Sequence, residues 1–445
     1  MLTPVLCVGL DGTLVRTNTL LESLFLFARL YPLRLPLLLI WLLRGRAHLK
    51  TKLAEAALPA IETLPYNTEL LSYLRRQKNA GVKLVLATGA ARPIAAGVAA
   101  HLSLFDEVWS SDANQNLTGA HKAQLLAAKY PAFEYIENSR AKTLLPSPPP
   151  RLASRWRRWW RAIRVHQWVK NLLIFFPVLT AHRLTDWPTL ALAGIGFVAY
   201  SLASSGTYLL NDLFDLQADR AHPNKCRRPF ASGELNPVTG ALAAIPLFLA
   251  ALAIVSLLSV GARLLLAGYI LLTFSYSLWL KRLLVIDVLL LVCFYLMRIF
   301  FGGVTTGITI SVWLLAFSMF FFLALALIKR LTELRALDRA AGHRENLDRG
   351  YQLSDVQLLG SLAASSAYLS VVLMALYINS PEAHLLYRQP QFLWPLCLVI
   401  IYWLTRMILI ANRGQLHDDP IVFAARDRAS WITGVAVGAI LYIAG

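Results

Sequence analysis

The sequence predicts a multi-pass α-helical membrane bundle of roughly nine spans, preceded by a small α/β domain. Three observations carry that expectation. Hydrophobic residues make up 57% of the 445-residue chain and charged residues only 15%, with a mean hydropathy of +0.54, too apolar for a soluble chain of several domains. Apolar runs of near-spanning length recur from Leu172 to the C-terminus. The first ~145 residues instead alternate short apolar runs with helical patterns, the rhythm of βα units.

In this N-terminal part the runs Val5–Leu10, Val82–Ala87, Phe105–Ser110 and Phe133–Ile136 read as strands, so residues 1–145 are expected to form a Rossmann-like α/β domain. An apolar insert, Leu20 to Leu43, interrupts it. Its most apolar stretch, Leu35 to Leu43, falls short of the ~20 residues that cross a bilayer. It reads equally well as a buried cap helix or as an interfacial helix lying on lipid. Met1 to Leu10 lacks a basic start, so no signal peptide is expected. Residues 146–163 form a Pro-rich linker, Pro146-Ser147-Pro148-Pro149-Pro150, and a basic-aromatic segment, Arg155-Trp156-Arg157-Arg158-Trp159-Trp160-Arg161. Alternating Arg and Trp can stack on nucleic-acid bases. Directly before a series of spans they are better explained as headgroup anchors, so no nucleic-acid partner is expected.

Residues 164–445 hold the candidate spans: Leu172–Thr180, Leu190–Leu210, Val238–Val260, Leu264–Leu280, Leu283–Phe300, Ile308–Ile328, Val356–Ile378, Phe392–Ile410 and Trp431–Ala444. Much of the formal net charge of +18 sits in the loops between them. One set of loops carries Lys170, Arg220, Lys225, Arg227, Arg228, Lys281, Arg282, Lys329, Arg330, Arg335, Arg339, Arg344, Arg349, Arg413, Arg426 and Arg428. The opposite set has little beyond Arg183, Arg263 and Arg388. The positive-inside rule places the first set and the N-terminal domain in the cytosol, and an odd span count leaves the C-terminus outside. The four cysteines, Cys7, Cys226, Cys293 and Cys397, show neither metal nor disulfide spacing.

One segment concentrates the chemistry. Asn211-Asp212-Leu213-Phe214-Asp215-Leu216-Gln217-Ala218-Asp219 closes an apolar run, and His222-Pro223, Lys225 and Arg228-Pro229 follow it. Asp212, Asp215 and Asp219 stand at i, i+3 and i+7 and share one helix face. Three carboxylates converging at a membrane surface repel one another unless a divalent cation holds them. The cations just downstream suit the phosphate oxygens such an ion would carry. The bland alternative is an acidic, solvated helix end, but carboxylates near lipid are costly without a function. Asp287 and Arg298 lie in one apolar span, on one face and about 16 Å apart by helical rise, and ionisable residues there face the bundle interior or a water-filled cavity.

Asn211-Asp-x-x-Asp-x-x-x-Asp219 resembles the first aspartate motif of the UbiA superfamily of intramembrane prenyltransferases, whose aspartates hold Mg²⁺ against a substrate diphosphate. The resemblance covers about residues 160–445. Arg164-Val-His-Gln167-Trp168-Val-Lys170-Asn171, Tyr276-Ser277 with Leu280-Lys281, Asp287, Arg298 and Lys329-Arg330-Leu-Thr-Glu333-Leu334 are similar to its decaprenyl-phosphate phosphoribosyltransferase branch. So are His417-Asp418-Asp419-Pro420 and Asp427. The second motif separates the branches. Members that transfer a prenyl group from its diphosphate carry a second aspartate pair there, whereas this chain has Lys329, Arg330 and Glu333. Those residues suit direct phosphate binding with less need of a second metal; cytosolic positive charge alone is the plainer explanation.

The N-terminal sequence Leu10-Asp11-Gly12-Thr13-Leu14, with Thr88 and Lys122 further on, resembles the first three motifs of the haloacid dehalogenase superfamily. Phosphatases of that family use an aspartate two residues before the Asp-Gly-Thr aspartate as nucleophile. Here that position is Gly9, and the last carboxylate of the fourth motif falls on Lys142, after Glu137. The domain is therefore expected to lack phosphatase activity and to scaffold, to form homo-oligomers or to shield the cytosolic mouth.

The resemblance implies an Mg²⁺-dependent enzyme of the cell (inner) membrane that moves 5-phosphoribose from phosphoribosyl pyrophosphate to a polyprenyl phosphate, with its active site on the cytosolic face. Asp212, Asp215 and Asp219 are the expected metal ligands. Asn211 would orient a ligand or the ribose, Lys225, Arg228, Lys329 and Arg330 would clamp the donor phosphates, and Arg164 and Lys170 would take the lipid phosphate. Tyr276, Lys281, Asp287, Arg298 and Glu333 complete the expected substrate-binding set. Two rivals stand beside it: a transferase joining a polyprenyl diphosphate to an aromatic or other small acceptor, and a non-catalytic membrane scaffold or transporter.

Overall fold

The computed structural model describes residues 5–112, 117, 119–130, 132–137, 152–222, 225–339, 350–416 and 419–445. The Pro-rich linker, Pro223, Arg344 and Arg349, Lys142 and the His417-Asp418 pair lie outside the described residues. The chain divides into two compact units, residues 1–163 with 208–245, and residues 164–207 with 246–445.

In the first unit, β1 (Val5–Val8), β2 (Lys83–Ala91), β3 (Glu107–Ser111) and β4 (Phe133–Ile136) form a parallel sheet in the order β3-β2-β1-β4. Each strand falls on one of the four apolar runs. Buried Leu6, Val8, Leu84 and Leu86 meet Leu70 and Leu74 of the helix Thr68–Asn79 and Ile94 and Val98 of the helix Arg92–Leu102. Such burial on the faces is what a parallel sheet requires.

The apolar insert forms α1 (Thr19–Leu30) and α2 (Leu37–Leu43), bent by 114° at a short break. Pro32 and Pro36 flank the break and cannot continue a helix. α1 buries Thr19, Glu22, Ser23, Phe27 and Ala28, whereas α2 has no fully buried residue and packs half-buried Leu38 and Trp41 against Phe27. Leu33 (91% exposed), Leu39 and Leu43 present a bare apolar surface of the kind that suits lipid contact.

Among the described residues, seven helices are long and apolar enough to cross a membrane: Trp187–Phe214, Pro237–Val255, Val260–Leu278, Ile286–Thr306, Val312–Ala336, Leu353–Ile378 and Pro390–Asn412. The other two expected spans fall on shorter elements. Arg428–Ala444 is a helix of 17 residues. Leu172–Thr180 is split between a 3-10 run, Val165–Phe175, and a five-residue helix, Phe176–Thr180, whose early Pro177 leaves no backbone N–H to continue the preceding turn.

The second unit has its core where the helices Ile286–Thr306, Val312–Arg339, Val356–Ile378 and Trp394–Asn412 bury Ile299, Leu325, Ile328, Ala363, Leu404 and Met407. Outward-facing residues are also apolar, as at Leu264 and Leu271 one heptad apart, which is the pattern of helices whose outer solvent is lipid. The 3-10 run is locked against this bundle by a close backbone approach. A Cβ on Gly302 would lie 2.1 Å from the carbonyl oxygen of Ile174. Gly302→Ala should therefore cost about 1–3 kcal/mol or more, read as a lower thermal midpoint of the detergent-solubilised protein. Gly268→Ala, with open space around its Cβ, should leave the midpoint nearly unchanged.

Candidate active site

The aspartate segment sits where a long helix ends. Trp187–Phe214 stops before Asp215, and the chain resumes helix as Leu216–Arg220. Backbone hydrogen bonds from Asp215 N to Asn211 O (3.0 Å) and from Asp219 N to Asp215 O (2.8 Å) carry the i to i−4 pattern through the break. Helical hydrogen bonding thus continues across the break. Asp212 and Asp219 are 2% and 4% exposed. One guanidinium nitrogen of Arg228 contacts both, at 3.2 Å from Asp212 Oδ1 and 2.6 Å from Asp219 Oδ2. Asp215 turns toward Arg29 of α1, 3.7 Å away.

Burial pushes the Asp219 carboxyl up to about 6. Arg228 pulls the other way, the neighbouring Asp212 and Asp215 add to the rise, and Lys225 is near enough to oppose it. One arginine thus leaves part of the repulsion uncompensated. Hard carboxylate oxygens gathered around a single cationic nitrogen are the donor set a divalent ion such as Mg²⁺ takes. Among the described residues no three His, Cys, Asp or Glu side chains converge on one point as they stand. Arg228 lies between two of the aspartates and Asp215 faces Arg29, so an ion would have to take the place of these guanidinium contacts.

The second unit holds two further charged clusters. Asp419 caps the short helix Pro420–Ala424 and accepts from Lys170 at 2.7 Å, with Lys329 at 3.2 Å. Burial opposes its ionisation, but the two lysines hold its carboxyl well below the usual range. The Tyr295 hydroxyl lies 3.4 Å from its other oxygen. Arg330 is fully buried between Asp287 (2.5 Å, off the line of a hydrogen bond) and Glu333 (2.5 Å), and Tyr276 lies 3.4 Å from it. Tyr351 donates to Asp287 at 2.8 Å.

Asp287 and Arg298 share a helix but not a contact. Arg298 donates to Asn171 Oδ1 at 2.8 Å and to the carbonyl of Phe294, and lies over the rings of Tyr200 and Tyr269. Asn171 in turn donates to Ser201 at 2.9 Å. Lys281 is buried, and Arg164 turns the chain with a φ of 54° before the 3-10 run. Asp427 caps the last helix and pairs with Arg406 at 2.6 Å.

Four residues at these clusters were not singled out as site residues from the sequence: Asp419, Glu22, Arg29 and Arg220. An Asp-Pro pair between two apolar runs is an N-cap signal that points to Asp419. A lone carboxylate inside the apolar insert, Glu22, needs a buried partner. The chain offers no local sign of which one.

The N-terminal domain contains a cavity of about 230 Å³ lined by Gly9, Asp11, Lys50, Thr88, Lys122 and Glu137 among others. It is a separate place from the aspartates. Position 9 offers no nucleophile there, Lys122 pairs with Glu137 at 2.9 Å, and Asp11 Oδ1 accepts from the Thr19 amide at 2.7 Å.

The UbiA prenyltransferase family model matches residues 172–431, and a haloacid dehalogenase-like hydrolase model matches residues 8–134. The chain belongs to the UbiA prenyltransferase family. Protein y4nM of Sinorhizobium fredii is 33% identical over 99% of this chain and 91% of its own length. Decaprenyl-phosphate phosphoribosyltransferase of Mycobacterium tuberculosis is 33% identical over 48% of this chain and 72% of its own length. A UbiA homolog from Archaeoglobus fulgidus, solved with GPP and Mg²⁺, is 17% identical and covers 64% of this chain and 99% of its own, with a TM-score of 0.50, which shows a shared fold. The chain is accordingly a multi-pass membrane transferase of the UbiA family with a haloacid dehalogenase-like N-terminal domain.

The buried Arg330 makes a direct test. Asp287→Ala leaves a charge with no opposite partner on that side and should cost about 3–5 kcal/mol of stability. The triple variant Asp287→Leu, Arg330→Met and Glu333→Gln, which removes all three charges together, should recover much of that loss in a thermal-unfolding comparison.

Proposed function

We propose that this UbiA-family enzyme transfers 5-phosphoribose from phosphoribosyl pyrophosphate to a polyprenyl phosphate and releases pyrophosphate. The observation that carries the reading is the Lys170–Asp419–Lys329 cluster, with Arg330 next to it in sequence, at the position where prenyl-diphosphate-using members have a second aspartate pair. A cationic second cluster favours phosphate over a second metal. The 33% identity to decaprenyl-phosphate phosphoribosyltransferase supports the same reading.

Asp212, Asp215 and Asp219 would hold Mg²⁺ on the donor pyrophosphate, where the ion neutralises charge on the departing group. Arg228, freed from its two carboxylates, and Lys225 would grip pyrophosphate oxygens. Asn211 would orient the ribose. Lys329 and Arg330 would serve the 5-phosphate, and Lys170 with Arg164 the lipid phosphate. Asp419 tempers the two lysines so that an incoming phosphate meets a partly neutralised pair.

An oxygen of the lipid phosphate attacks the anomeric carbon as the bond from that carbon to pyrophosphate breaks. The attacking oxygen is already anionic, so the site must position it rather than deprotonate it. Lysine and arginine counting supports a position for these residues on the cytosolic face of the cell (inner) membrane.

Membranes given labelled phosphoribosyl pyrophosphate, polyprenyl phosphate and Mg²⁺ should transfer label to the lipid fraction. Asp212→Asn or Asp215→Asn should lower that rate at least about 100-fold, the size of a lost metal contribution. Label that stays in the aqueous phase, while a polyprenyl diphosphate reacts with an aromatic acceptor, would make the enzyme a prenyltransferase proper.

A further inference from the structure

We propose that the N-terminal domain is a working part of the transferase site, with Glu22 of α1 as a positioning residue. Through Arg220 it holds the loop that sets Arg228 against Asp212 and Asp219. The inference rests on the reading that these carboxylates take a divalent cation.

Glu22, Phe25 and Arg29 stand at i, i+3 and i+7 on α1 and so form one stripe. All three meet the aspartate segment. Both oxygens of Glu22 accept from Arg220, at 3.0 and 2.7 Å, with the two side chains 0% and 4% exposed. Phe25 packs edge-on to Phe214, ring centroids 6.1 Å apart. Arg29 reaches Asp215. The stripe of α1 therefore touches the residue before the helix break, the residue at the break and the residue that ends the following turn.

Arg220 does more than pair. Its Nε donates to the carbonyl of Ala231 at 3.0 Å, so one side chain ties the start of the 220–231 loop to its end. Arg228 lies inside that closed loop and makes the shared contact with Asp212 and Asp219. Because Glu22 fixes the guanidinium plane bidentately, it sets the direction of Nε and hence the closure of the loop.

α1 is in turn anchored to the sheet domain. Asp11 Oδ1 accepts from the Thr19 amide at 2.7 Å, and Thr17 donates to Glu22 at 2.7 Å. Asp11, with only Gly9 at the nucleophile position, here acts as a helix anchor. A fully buried ion pair is an expensive way to staple two elements unless its geometry matters, since apolar residues can replace such pairs without loss of stability.

The test is Mn²⁺ binding to the full-length protein in detergent, read by electron paramagnetic resonance, beside thermal unfolding. In the wild type, binding should depend on Asp212, vanishing in Asp212→Asn. The double variant Glu22→Leu with Arg220→Met keeps the volume and removes the charges. It should unfold near the wild-type temperature yet bind Mn²⁺ at least 10-fold more weakly. Its rate with saturating lipid acceptor should fall through the metal requirement while KM for the lipid stays unchanged. Glu22→Gln should lie between the two, and Lys52→Ala, in an exposed pair on the helix Arg46–Ala56, should match the wild type. A folded double variant with wild-type Mn²⁺ affinity overturns the positioning role and leaves the transferase reading intact. Wild-type protein without Asp212-dependent Mn²⁺ binding overturns both.

Discussion

Charge that leaves water must be met by opposite charge or by hydrogen bonds, and the charged clusters of this protein answer to that constraint. The seven long helices are apolar outside, so their ionisable groups are drawn inward and paired. Arg330 has Asp287 and Glu333, Asp419 has Lys170 and Lys329, and Asp212 and Asp219 share Arg228. All three clusters put two like charges against one of opposite sign, and each leaves a net charge for a ligand to meet. The Arg330 group also joins the helix Ile286–Thr306 to the helix Val312–Arg339.

The N-terminal domain fits the same logic. A fold of the haloacid dehalogenase type has kept its parallel sheet and its Asp11, but with Gly9 where a nucleophile would stand. What its α1 offers instead is a carboxylate, a ring and a guanidinium on one stripe, each against a residue of the aspartate segment. Such a domain can contribute rigidity, because a parallel sheet buried on both faces is a stiff platform.

Much of this was legible in the sequence. The four strands fell on the four apolar runs because each strand here is short, continuous and bounded by loop residues. Asp212, Asp215 and Asp219 were legible because their i, i+3, i+7 spacing is a local property of the segment, although the helix breaks at Asp215. Leu172–Thr180 was visibly short, but its split into a 3-10 run and a five-residue helix was not legible, because it goes with Pro177 and a backbone contact to Gly302, more than a hundred residues away. Glu22 and Arg220 escaped for the same reason: they are 198 residues apart, and no local pattern announces such a pair. For Asp287 and Arg298 the sequence placed both in one span, but their partners, Arg330 and Asn171, come from other elements and could not be named from it.

The most direct measurement of the central claim is an experimental structure with Mn²⁺ and phosphoribosyl pyrophosphate, locating the ion by anomalous scattering. The account predicts a peak about 2.1 Å from carboxylate oxygens of Asp212 and Asp219, with Arg228 moved off them onto the pyrophosphate. An ion found elsewhere, with Arg228 still bridging the two aspartates, would contradict it.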